Sequence, residues 1–126
     1  YDRGVPFVAH EGCREQAGAF VCNKRRILSD IKADFPGVDF SLVATEEDVL
    51  WDPTRRESPR DEAERVYKFL TEFVRTRRET ELAVVGHSAW LFNMLNAVVD
   101  CGGDEKLSSW FLTSEIRSIK LSFKDK

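Results

Sequence analysis

Apolar and polar positions follow a helical period most clearly after Ser58. Ala63, Val66, Tyr67, Leu70, Phe73 and Val74 recur at i, i+3, i+4 and i+7, which puts them on one face of an amphipathic helix. Ser58 suits the N-cap, Pro59 the first helical position, and Asp61 and Glu62 the positive helix end. The opposite face carries Glu64, Arg65, Lys68, Glu72 and Arg75 and reads as solvated. A second helix is predicted from Lys24, with Ile27, Leu28, Ile31 and Phe35 on one face and Pro36-Gly37 ending it. Residues 89–99 are almost wholly apolar, so the helix they form must be buried over most of its surface.

Strand patterns fall between these helices. Pro6-Phe7-Val8-Ala9 is a short apolar run consistent with a strand, and residues 38–43 fit a strand or an extended loop. Thr45-Glu46-Glu47-Asp48 has the capping-box pattern and predicts one short turn before Trp51. Leu82-Ala83-Val84-Val85 is apolar without alternation, which predicts a strand covered on both faces, as in parallel sheets. Ile119, Leu121 and Phe123 alternate with Ser118, Lys120 and Ser122, the pattern of a half-buried edge strand. Amphipathic helix, buried strand, tight turn and buried helix in that order predict a layered α/β fold.

Composition narrows the function. The 126 residues suit one domain with a single core. Lys and Arg number 19 against 22 Asp and Glu, a net charge of −3, which argues against a general nucleic-acid binder. The three cysteines, Cys13, Cys22 and Cys101, form no CxxC motif, so a reducing, cytoplasmic location is expected over a disulfide scaffold. No apolar run approaches a membrane span and the first residues carry no signal-peptide pattern, so no membrane partner is expected.

The strongest chemical signal is Gly86-His87-Ser88, where the predicted buried strand meets the apolar helix. In open α/β sheets ligands sit beyond the carboxyl ends of strands, and a helix start there offers free amides and partial positive charge to a phosphate. His87 at that junction can donate to an anion, shuttle a proton or attack as a nucleophile; a histidine that only caps the helix fits the position equally well. The segment imitates the G-x-S-x-G elbow of α/β-hydrolases, but Trp90 fills the last glycine position and no histidine follows Ser88, so that reading fails. His10, Cys13 and Cys22 match no common zinc spacing, and no metal or other cofactor is expected. Glu11 and Glu15 follow the first apolar run, where a carboxyl could approach His87 and protonate a leaving oxygen.

Taken together, these segments resemble the histidine phosphatase superfamily, the phosphoglycerate mutase-like proteins, and within it the broad-specificity phosphatase-like branch. The residues that carry the resemblance are Ala9 through Glu15 with Gly18, Cys22 through Arg26, Phe35 through Ser41, Glu47 through Trp51, Arg56-Glu57-Ser58, Ala83 through Ser88, and Glu115 through Ser118. They span nearly the whole chain in collinear order. The resemblance implies a three-layer α/β/α fold and phosphoryl transfer from small phosphomonoesters through a phosphohistidine, as hydrolase or isomerase. It implies that His87 stabilises the transferring phosphoryl group and Glu15 is the proton donor and acceptor. Ser88 would contact the phosphate and Arg25 the rest of the substrate.

One feature of the family is missing: the sequence holds no Arg-His-Gly nucleophile motif, and His10, the other histidine, precedes no phosphate-binding loop. Residues 1–126 are therefore expected to be the C-terminal part of one histidine phosphatase-like domain, without its amino-terminal central strand and catalytically incomplete alone. Such a chain would expose sheet edges open to self-association. Two readings stand, an enzyme of this family and a non-catalytic member that binds a phosphorylated ligand or a protein.

Overall fold

A computed structural model describes residues 4–124. Strand β1 (Phe7–Val8) pairs in parallel with β2 (Val38–Asp39), Phe7 opposite Val38 and Val8 opposite Asp39. Helix α1 (Leu28–Asp34) lies between them in sequence and ends at Phe35, as the Pro36-Gly37 punctuation predicts. Helix α2 (Pro59–Lys68) begins with the Ser58 hydroxyl accepting the Asp61 amide at 3.1 Å. It runs on through a π turn, Phe69–Phe73, and a 3-10 turn, Val74–Thr76. Helix α3 (Ser88–Asn93) continues likewise into a π turn, Met94–Val98. A last short helix, α4 (Glu105–Ser108), is capped by the Asp104 carboxylate, which accepts the Lys106 and Leu107 amides.

The core is the seam between the two long helical runs: Val66, Phe69 and Leu70 from one, Trp90, Met94 and Leu95 from the other. Val66 and Trp90 are fully buried. Burying each such side chain is worth roughly 1.5–3 kcal/mol, so this seam is the main apolar stabilisation of the chain. The inward face of α2 is rotated from the predicted stripe. Phe69 is buried, Tyr67 is 48% exposed, and Glu62 turns inward with 2% exposure.

Larger departures concern the sheet. Residues 82–85 and 118–123 form no strand, and among the described residues the sheet has two strands. Leu82, Val84 and Val85 are exposed, Val85 at 88%, against the expectation of burial on both faces. A strand exists only through its ladder partner, and no described segment pairs with either stretch. The alternation of the last segment is met in part, since Leu121 and Phe123 pack against the core while Ile119 is exposed. The capping box at Thr45 does not form either. The Thr45 hydroxyl donates to the Glu47 carbonyl, and Asp48 turns the chain by accepting the Leu50 and Trp51 amides.

Candidate active site

His87 is the N-cap residue of α3, in an extended conformation, and its carbonyl accepts the Leu91 amide at 2.9 Å. Its imidazole is exposed and makes no capping bond. Ser88, the first helical residue, is also exposed. The helix dipole therefore places partial positive charge at an exposed helix start, at His87 and Ser88.

The loop carrying Glu15 is fastened to both long helices. Trp90, one turn into α3, donates its indole N–H to the Gly12 carbonyl at 2.8 Å. Arg65 on α2 donates to the same carbonyl at 3.1 Å, to that of Arg14 at 2.9 Å and to that of Glu15 at 3.3 Å. The Gly86 turn lies against the same loop: a Cβ on Gly86 would stand 3.8 Å from the Cys13 carbonyl oxygen and 3.3 Å from the Trp90 ring. The turn before His87 and the loop before Glu15 are therefore neighbours, joined through Trp90. Glu15 is half-buried, and its Oε1 accepts the Gln16 amide at 2.9 Å.

Behind Glu15 the chain is held by Glu57, which binds Arg65 through both carboxylate oxygens at 2.8 and 2.7 Å. The Glu57 carboxylate also accepts the Ala17 amide, and its carbonyl accepts the Gln16 side-chain amide. Its own backbone amide donates to the Ala17 carbonyl at 2.8 Å. Burial would raise the Glu57 carboxyl, but the Arg65 bonds, the Ala17 amide and the Arg65 charge bring it below its ordinary range. Gly18 permits the close approach, because it sits at φ +83° with the Arg55 carbonyl where a side chain would be.

A second knot lies in front. Arg14 grips Asp48 with both terminal nitrogens, at 2.9 and 2.6 Å, and Asp48 also takes the Arg25 amide. The Arg25 guanidinium binds the carbonyls of Arg26, Thr45, Glu46 and Glu47 and lies 2.7 Å from Glu11. In this arrangement Arg25 shapes the loop rather than reaching outward.

His10 is turned to a structural use. Its Nδ1 accepts the Gly12 amide at 2.9 Å, and its ring packs on Phe69 and Phe73. Burial lowers its pKa against the raising effect of Glu11. Cys13 donates to the His10 carbonyl, and the exposed Cys22 thiol faces Asn23. Among the described residues no group of three His, Cys, Asp or Glu could hold a metal ion, and no helix is long and apolar enough to cross a membrane. A cavity of about 510 Å³ borders His10, Gly12, Arg65 and Phe73, but His87, Ser88 and Glu15 do not line it.

Sequence reasoning misses the roles of Arg65, Glu57 and Trp90. The helical period puts Arg65 on the solvated face, yet its side chain is 17% exposed. Its one advance signal is its position beside Glu62 and Val66 on the edge of the buried stripe. Trp90 gives a clearer signal, a large ring in a turn where a hydrolase elbow needs glycine.

No protein-family model and no solved structure matches the chain. Curated relatives do. A phosphoglycerate mutase-like protein of Arabidopsis thaliana is 42% identical over 117 residues, covering 90% of this chain and 43% of that protein. Phosphoglycerate mutase-like protein 1 of the same plant is 43% identical over 117 residues, covering 90% of this chain and 41% of that protein. A probable phosphoglycerate mutase of Arthroderma benhamiae is 28% identical over 95 residues, covering 74% of this chain and 28% of that protein. Over nine-tenths of its length the chain is thus homologous to proteins named phosphoglycerate mutase-like, and it spans about two-fifths of the length of the Arabidopsis relatives it matches.

Proposed function

We propose that this chain supplies the acid/base and phosphoryl-stabilising side of a histidine phosphatase active site acting on small phosphomonoesters. The observation that carries the reading is the Trp90–Gly12 bond, which brings the helix start at His87 and Ser88 to the loop of Glu15. A protonated His87 and the positive end of the α3 dipole would neutralise charge on the phosphoryl oxygens, where such stabilisation counts most. Glu15 would give its proton to the leaving alkoxide as the ester O–P bond breaks and a P–N bond forms to a histidine of an Arg-His-Gly motif outside this chain. Water would then attack the phosphohistidine, Glu15 taking the proton back. Arg25 would contribute only by bracing the loop beside this site, its guanidinium held by the carbonyls of Arg26, Thr45, Glu46 and Glu47.

The same reading takes residues 82–85 and 118–123 as strands of a three-layer α/β/α sheet. Their support is the apolar run at 82–85, exposed here, and the inward Leu121 and Phe123. The relatives carry more than half of their length beyond the matched stretch, enough to contain neighbouring strands.

The test is hydrolysis of p-nitrophenyl phosphate by the full gene product that contains this chain. His87→Ala should lower kcat/KM by about 100- to 1000-fold and leave the melting temperature unchanged, because the ring makes no capping bond. A wild-type rate in that variant, or an inert full gene product, overturns the reading. Inertness combined with shifts of the His87 ring resonances on adding inorganic phosphate would instead favour a non-catalytic phospho-ligand binder.

A further inference from the structure

Arg65 is unusual in how completely its guanidinium is used. Nε and one Nη2 proton meet the two Glu57 oxygens, Nη1 meets the carbonyls of Gly12 and Arg14, and Nη2 also meets that of Glu15. Five donors have five acceptors, so none remains for a phosphate. Glu57 holds the far side of the same loop through Gln16 and Ala17. The backbone on both sides of Glu15 is thus fixed, while its side chain makes one bond, to the Gln16 amide, and keeps Oε2 free among the described residues. A rigid backbone under a carboxyl with one free oxygen is what proton transfer to a departing oxygen needs.

We propose that Arg65, its fork oriented by Glu57, is a positioning residue for proton transfer by Glu15. The inference rests on the assignment of Glu15 made above. A lysine cannot reproduce it, since an ammonium offers a point charge and cannot span two carboxylate oxygens and three carbonyls in one plane. Trp90 shares the Gly12 carbonyl with Arg65, so displacing the loop also shifts it relative to the helix that starts at Ser88.

The test compares two substrates in the full gene product: an alkyl phosphate, whose leaving oxygen needs a proton, and dinitrophenyl phosphate, whose leaving phenolate does not. Arg65→Gln and Glu57→Gln should lower kcat/KM for the alkyl ester by about 100-fold and for the dinitrophenyl ester by less than about 3-fold. Arg65→Lys should fall between wild type and Arg65→Gln, and it carries the test with Glu57→Gln if Arg65→Gln does not fold. Equal losses on both esters would show a structural role alone, and wild-type rates on both would show none; either overturns the inference. Glu15→Gln is the separate control. If it shows no dependence on the leaving group, the assignment of Glu15 fails and this inference falls with it; if it does and the Arg65 variants do not, only this inference fails.

Discussion

The indole N–H of Trp90 donates to the carbonyl of Gly12 at 2.8 Å across 78 positions of sequence. This bond ties the helix that begins after His87 to the loop that leads to Glu15, and Trp90 is fully buried while making it. Trp90→Phe keeps an aromatic ring but removes the donor. Unfolding in urea should show a loss of about 1–2 kcal/mol, against about 3–5 kcal/mol for Trp90→Ala. If Trp90→Phe matches wild type, packing alone joins the two segments.

Gly18 and Gly102 both adopt positive φ, at +83° and +62°, but in different surroundings. A Cβ at Gly18 would come 1.9 Å from the Arg55 carbonyl, whereas one at Gly102 would meet nothing within 4 Å. Gly102→Ala should cost about 1–2 kcal/mol for backbone strain alone. Gly18→Ala should cost more, because the backbone at Arg55 must move and the Glu57 contacts with residues 16 and 17 move with it. Equal denaturation midpoints for the two variants would contradict this packing.

Asp48 has a side chain 1% exposed. Burial would raise its pKa, but the hydrogen bonds from Arg14 and the Arg25 amide, the Arg14 charge and the Leu50 amide lower it to about 2. A carboxyl depressed in the folded state adds stability above its unfolded pKa and loses it as pH falls through the folded value. The contribution, roughly 2 kcal/mol, should be complete above about pH 4 and fade towards pH 2. Asp48→Asn should flatten the acid limb of the stability curve; an unchanged limb would remove Asp48 as its source.

Glu62 has the opposite sign. Burial raises its pKa, outweighing the Asn93 bond and the Arg65 charge, while Glu57 and Glu15 push it the same way. Its Oε2 accepts from Asn93, and its Oε1 has no hydrogen-bond partner among the described residues. A raised carboxyl costs stability once pH passes its unfolded value, as the charge is forced into a buried site. Glu62→Gln should therefore gain stability relative to wild type between about pH 4 and pH 7, read from melting temperatures in that range. A relative loss over the same interval would show that ion pairing with Arg65, 3.8 Å away, dominates.

The two long helical runs and the end of α1 were legible because each is specified within a few turns of its own sequence, whereas α4 and the start of α1 at Leu28 were not. Ser58 and Pro59 start α2 where their types predict, and Pro36-Gly37 stops α1. The stripe on α2 holds except that Tyr67 turns outward while Glu62, Arg65 and Phe69 turn inward, with a π turn at Phe69–Phe73 and Trp90 packed against Phe69. Strand patterns were visible at 82–85 and 118–123, but pairing is a relation between segments and cannot be read from either one.

The sequence by itself determined the start of α2 and the end of α1, though not the start of α1 at Leu28 rather than Lys24, together with the collinear family motifs and His87 as the residue just before an apolar helix. Only the tertiary structure decided that Arg65 turns from its solvated face to hold three carbonyls, that Trp90 bonds Gly12, and that Arg25 braces its own loop. The physical reason is range. Caps and periodicity act between residues a few positions apart, whereas these bonds join residues whose proximity exists only after the helices have packed.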